Sequence, residues 1–236
     1  MASGSAGTDT GGAGGGSAGA AMCPPGLPSA TEIASTPRAD QNLELLALRV
    51  SGGIIADQAI YDRVERDVGT IRALEPRVGG IQYFPRSDGK SMELTPDAPI
   101  YSAMRAGQYR DWDCLNQTYV VSNTQFLDAS PPFQSNVLLT LKGIYDIEAV
   151  TAQYGALAGV KAEYGGPSGG DGPTICLTRE SDLWHYVFDQ AGGDCPAGCT
   201  EHTYYHFSTT AAGAVASLGE IPQDMASPYT SAEACR

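Results

Sequence analysis

The chain has 236 residues, with 14 basic and 27 acidic side chains, a formal net charge of −13 and six cysteines. A field of that sign repels nucleic acid and anionic membrane surfaces, so neither is expected as a partner. No segment approaches the ~20 consecutive apolar residues of a membrane span, and six cysteines beside only three lysines (Lys90, Lys142, Lys161) suit an oxidising, extracellular-type compartment.

From Ala2 to Ala21 nearly every residue is Gly, Ala, Ser or Thr. Such a stretch buries too little to offset the entropy of ordering it, so residues 1–22 are expected to form a disordered tether. Neither a basic start nor an apolar run precedes Met22, so an export signal is expected to be missing from this chain, and Met22 directly before Cys23 disfavours a lipid anchor there. Residues 23–41, rich in proline and small side chains, read as an irregular surface segment, and a single α+β domain is expected over 42–221.

Leu43 to Val50 is apolar on both faces in its middle and predicts a buried strand, ended by Ser51-Gly52-Gly53. Asp57 is placed to cap a helix in which Ile60, Tyr61, Val64, Val68 and Ile71 recur at helical spacing as far as Pro76. Ile81, Tyr83 and Phe84 predict a short strand, and 86–99 a loop or edge hairpin. One or two helical turns are expected over 100–107, with Trp112, Leu115 and Tyr119 extending an apolar face before the chain becomes extended at Val120 and Val121.

A second strand begins with Val137, Leu139 and Leu141. Asp146 then caps a helix marked by Ile147, Val150, Tyr154 and Leu157, Gly159 stops it, and Val160, Ala162 and Tyr164 return as a strand. The chain thus predicts two strand-helix-strand units, a design that interleaves into a ferredoxin-like sheet with helices on one face. After a glycine-rich connector at 165–172, the stretches 175–178, 184–189, 203–208 and 214–218 predict an antiparallel meander, followed by a tail at 222–236 that a disulfide could tether.

The sharpest local pattern is Gly193-Asp194-Cys195-Pro196-Ala197-Gly198-Cys199, followed by His202 and His206. Two cysteines and two histidines suggest zinc, and a metal-dependent enzyme on these four residues is one reading. On a strand, however, side chains four apart stand roughly 13 Å from each other, so one ion would not reach both histidines. A Cys195–Cys199 disulfide across the Pro-Ala-Gly loop is the favoured expectation, with no metal or other cofactor. Trp184, Tyr186, His202, Tyr204 and His206 are a candidate stacking face for a sugar or peptide, weighed against ordinary cross-strand core pairing. No nucleophile elbow, His-Glu-x-x-His or phosphate loop occurs, and Asn116-Gln117-Thr118 is taken as a chance match to a glycosylation acceptor.

Trp184-His185-Tyr186-Val187-Phe188 followed by the Gly-Asp-Cys-Pro-Ala-Gly-Cys segment resembles an uncharacterised family of secreted bacterial proteins that share a Gly-Asp-Cys-Pro-x-Gly-Cys hairpin. The resemblance runs from about Leu43 to Phe207 and takes in Trp112-Asp113 and the segment Leu157 to Tyr164. It implies a compartment and no mechanism. Members often differ at the positions of Cys114 and Cys176, which implies a Cys114–Cys176 pair and leaves Cys23 with Cys235. A weaker resemblance, over Val137 to Tyr164, is to the pro-domains of subtilisin-like proteases. Three functions follow as expectations. The leading one is a non-enzymatic secreted or envelope module binding a protein, peptide or glycan, the second a pro-domain-like inhibitor or chaperone, and the third the metal enzyme.

Overall fold

A computed structural model describes residues 38–85, 87–130, 133–165, 172–195, 198–223, 228–230 and 235. The expected tether at 1–22 and most of the 23–41 segment therefore lie outside the described residues.

The chain is an α+β protein with two four-stranded antiparallel sheets. It opens with two helices, α1 (Gln41–Ser51) and α2 (Gln58–Leu74). The first corrects the expected strand at 43–50. The Asp40 carboxylate accepts hydrogen bonds from the amides of Asn42 and Leu43, which starts a helix. Leucines, which are not branched at Cβ, favour that conformation, and both sides of the helix are packed, so the apolar run shows no clean stripe. Asp57 caps α2 by accepting from the Ile60 amide, as its position predicts.

The stretch 81–85 has no regular secondary structure, which corrects the short strand expected at Ile81, Tyr83 and Phe84. The region expected to be a loop instead contains a central strand, β1 (Ser91–Pro96), followed by α3 (Ala98–Arg105), α4 (Asp113–Thr118) and β2 (Val121–Leu127). Then come β3 (Asn136–Leu141), α5 (Ile147–Gly155) and β4 (Val160–Glu163). The strand order β2-β3-β1-β4, all neighbours antiparallel, makes β1 to β4 a complete βαββαβ unit of ferredoxin-like topology. The expected interleaving is present, with β1-α3-α4-β2 as the first half in place of residues 43–84. Its core holds Met92, Leu94, Leu115, Leu139, Val150 and Tyr154.

The C-terminal meander is β5 (Thr174–Glu180), β6 (Leu183–Gly192), β7 (Glu201–Thr209) and β8 (Val215–Ile221), in that spatial order. Helices α1 and α2 cover one of its faces: Leu46, Val64, Val68 and Ile71 pack with Ile175, Leu177, Tyr186, Phe188 and Phe207 in a second core. The ferredoxin-like unit is thus inserted between a helical pair and the sheet that the pair covers. The Phe84 amide, near the departure of the insert, donates to Thr174 Oγ1, just after its return, at 3.0 Å.

Candidate functional site

Alternation along β6 and β7 divides the meander into two unlike faces. Trp184, Tyr186, Phe188, Tyr205 and Phe207 point into the helix-covered core. His185, Val187 and Asp189 therefore face the other way, as do His202, Tyr204, His206 and Ser208, in a register that pairs Val187 with His206 and Asp189 with Tyr204. All three histidines of the chain stand on this outer face.

Two of them touch. His185 Nδ1 and His206 Nε2 are 3.0 Å apart, and the residues are 6% and 8% exposed. Glu180 Oε2 lies 3.5 Å from His185 Nε2, so the carboxylate favours the tautomer with its proton on Nε2. His185 Nδ1 then accepts from the Nε2–H of His206. Burial, and after it the neighbouring His185, lower the His206 pKa to about 4, only partly offset by Glu180. Above the pair lies Tyr229, from the short 3₁₀ turn Pro228–Thr230. Its ring stacks on His185 at 4.4 Å and 18° and leans on His206 at 4.7 Å and 40°, while its hydroxyl donates to Glu180 Oε1 at 2.9 Å.

His202 belongs to a separate group. Its Nδ1 is 3.0 Å from both carboxylate oxygens of Asp189, its Nε2 is 3.1 Å from the Cys199 carbonyl, and its ring stacks on Tyr204. Cys195 and Cys199 are joined as a disulfide. The four residues of the zinc reading are thus not brought together: two are bonded to each other, and each histidine is turned to a different partner. Among the described residues no three His, Cys, Asp or Glu side chains are grouped to hold a metal ion.

Two further expectations are corrected. The five-residue stacking face is split, because Trp184 and Tyr186 are 3% and 0% exposed in the inner core while His202, Tyr204 and His206 lie on the outer face. The guanidiniums of Arg63 and Arg179 lie 3.9 Å and 5.2 Å from the Trp184 ring. Cys176 is bonded to Cys235 and not to Cys114. Its side chain stands on the outer face beside Val187, where the C-terminal segment crosses, whereas Cys114 is on α4 in the inserted unit. Cys114 is disulfide-bonded as well, and Cys23 lies outside the described residues.

Glu180, Asp189 and Tyr229 were missed as site residues. Period-two alternation would have separated His185 from Trp184 and put Asp189 with the histidines. Tyr229 carries no local signal, since only the tertiary path of the tail brings it there.

Two other surfaces are open. A cleft of about 270 Å³ lies where the two units meet, walled by Leu48, Tyr83, Tyr145 and Tyr164 with Arg49, Asp146 and Glu148 at its polar edge. The ferredoxin-like sheet has one face against its own helices, while the alternate residues Glu93, Thr95, Asn136, Leu138 and Thr140 are only half-buried on the other. Glu93 and Glu163 stand opposite each other on this face. Leu127 and Phe133, flanking the β2–β3 connection, are 38% and 76% exposed. No protein family, characterised relative or solved structure matches this chain.

Proposed function

We propose that the protein is a non-enzymatic module of the secreted or cell-envelope compartment that binds a basic protein or peptide across the open face of the β2-β3-β1-β4 sheet. The observation that carries this reading is the two-sided sheet itself. One face is sealed by helices. The other presents hydroxyls, amides and the facing carboxylates of Glu93 and Glu163, with Lys161 opposite Thr95 on the same face and exposed Leu127 and Phe133 as apolar anchors at one end. Charge supports the choice of partner: a net charge of −13 attracts cationic chains and speeds their encounter. The disulfides fit an oxidising compartment.

The test uses extended peptides of alternating Lys and Val, their Glu and Val counterparts, and neutral oligosaccharides. The Lys peptide should bind saturably and more weakly as salt rises. Reversing both carboxylates (Glu93→Lys with Glu163→Lys) should weaken it at least about tenfold, equal to ~1.4 kcal/mol, without unfolding the protein. Binding indifferent to that double variant would sink the proposal, and oligosaccharide binding alone would make the partner a glycan.

One observation favours a second reading. The stretch that resembles subtilisin pro-domains, Val137 to Tyr164, coincides with β3-α5-β4, the second half of the βαββαβ unit. A pro-domain-like inhibitor would act on some member of a panel of subtilisin-like proteases; no inhibition across the panel would exclude it.

A further inference from the structure

Two open sheets leave four edge strands, and an edge carries a row of unpaired amides and carbonyls that another strand can use. Three of the four are guarded. β4 has only four residues and carries Lys161 and Glu163. β5 ends in Arg179 and Glu180, and the Phe84 amide reaches its first residue. β8 is bulged against β7, with Gly219 at φ 93°, and its Glu220 is bound to Arg77 at 3.1 Å.

β2 has no such guard. Its seven residues, Val121-Ser122-Asn123-Thr124-Gln125-Phe126-Leu127, include no charge and no proline, in a chain of net charge −13. Its irregularity, between Val121 and Asn123, comes at the start and leaves 123–127 in regular register with β3. Ser122, Asn123, Gln125 and Leu127 are exposed, and among the described residues no strand lies on the outer side of β2. Asp128, just past its end, is already held by Arg105 and Tyr101.

We infer that two copies of the chain pair antiparallel along β2, about a two-fold axis at Gln125, so that the two β2-β3-β1-β4 sheets continue as one sheet of eight strands. The register is self-complementary. On the helix side Thr124 falls opposite Phe126 of the second copy, a β-branched and aromatic pair. Phe126 is already fixed there against Tyr101, with ring centroids 5.8 Å apart. On the open face Gln125 meets Gln125 and Asn123 meets Leu127, while Asp128 comes opposite Ser122, so no like charges are opposed. Charge also selects the occupant. A basic peptide has no counter-charge along β2, and an acidic one is repelled by the chain as a whole. An uncharged strand is what fits, and β2 of a second copy supplies one in the required register. So short a seam belongs with small, transient interfaces, below about 1,200 Å², and the dimer should come apart on dilution. The inference does not rest on the open-face proposal, because it is read from mass with no peptide present.

Sedimentation of the full chain from micromolar to millimolar concentration should show reversible exchange between monomer and dimer. Gln125→Lys and Gln125→Glu each set like charges opposite one another, and either should raise the dissociation constant at least about tenfold. An equimolar mixture of the two variants should associate as well as the native chain or better. Should a variant fail to fold, hydrogen exchange in the native chain reads the same seam: amides over 121–127 should exchange more slowly as concentration rises, and those over 215–221 should not. A native chain that stays monomeric, association that ignores both variants, a mixture no better than either variant alone, or slowing over 215–221 in place of 121–127 would each overturn the inference.

Discussion

The two halves of the molecule solve the same burial problem with different chemistry. In the inserted ferredoxin-like unit three fully buried phenols are paired with neutral acceptors. Tyr119 donates to Gln153 at 2.7 Å, Tyr145 to the Tyr119 carbonyl at 3.1 Å and Tyr154 to Asn116 at 2.8 Å. Burial pushes Tyr145 up to about 12 and Tyr154 higher still. The meander unit buries charge instead. Asp67, fully buried, accepts from Arg66 at 2.8 Å, Arg63 at 3.4 Å, Thr209 at 2.6 Å and Tyr186 at 3.3 Å, and the histidine pair lies on the sheet's far side. Phenols so far from titrating stay neutral in mild acid, whereas all three histidines stand in the second unit.

Three measurements would break or sharpen that contrast, and the two tryptophans report on it separately, Trp112 from the inserted unit and Trp184 from the meander core. The largest effect is expected for Asp67→Ala. It takes the carboxylate away from Arg63 and Arg66 and leaves two buried hydroxyls without their acceptor, and by analogy with other broken buried pairs should cost about 3 to 5 kcal/mol in urea unfolding followed at Trp184. A loss below about 1 kcal/mol would mean that the network is not what joins α2 to the sheet.

Next, Leu139→Ala empties a fully buried position on β3 and should cost about 3 kcal/mol, read at Trp112. If Trp184 follows at the same urea concentration, the two cores unfold as one cooperative unit; separate transitions would make each half its own.

The smallest effect comes from His206. Its pKa is lowered in the fold from 6.5 to about 4, so the unfolded chain binds more protons between those values. Stability should therefore fall as pH drops through that window, by at most about 3 kcal/mol, and level off below it. His206→Asn should flatten this slope; an unchanged slope would assign the acid response to other groups.

The legibility of the sequence follows the same division. The meander could be read because each strand is joined to the next by a short turn, so local alternation and turn residues suffice. Asp57, Asp146 and the β3-α5-β4 pattern were legible for the same reason. The α1 segment was misread because packing on both sides removes the helical stripe, and Leu45 and Leu48 then look as buried as a strand would make them. Strand β1 was missed because Arg86, Ser87, Asp88 and Gly89 before it and Pro96 at its end read as turn chemistry, although Met92 and Leu94 alternate with Glu93. At the outer face, the histidines were singled out with the wrong companions. Which residues share a face is a local fact, while Tyr229 and Glu180 meet only through the tail's path.

The insertion also orders events during synthesis. Helix α2 ends at Leu74, and the first strand to cover it starts at Thr174, so a hundred residues separate the helix from its cover. At roughly 5 to 20 residues per second, the apolar side of α2 waits about 5 to 20 seconds on the ribosome, while the inserted unit has every strand it needs once Glu163 has emerged. The half finished first in space is therefore the one in the middle of the chain, and the helices α1 and α2, made before it, are covered after it.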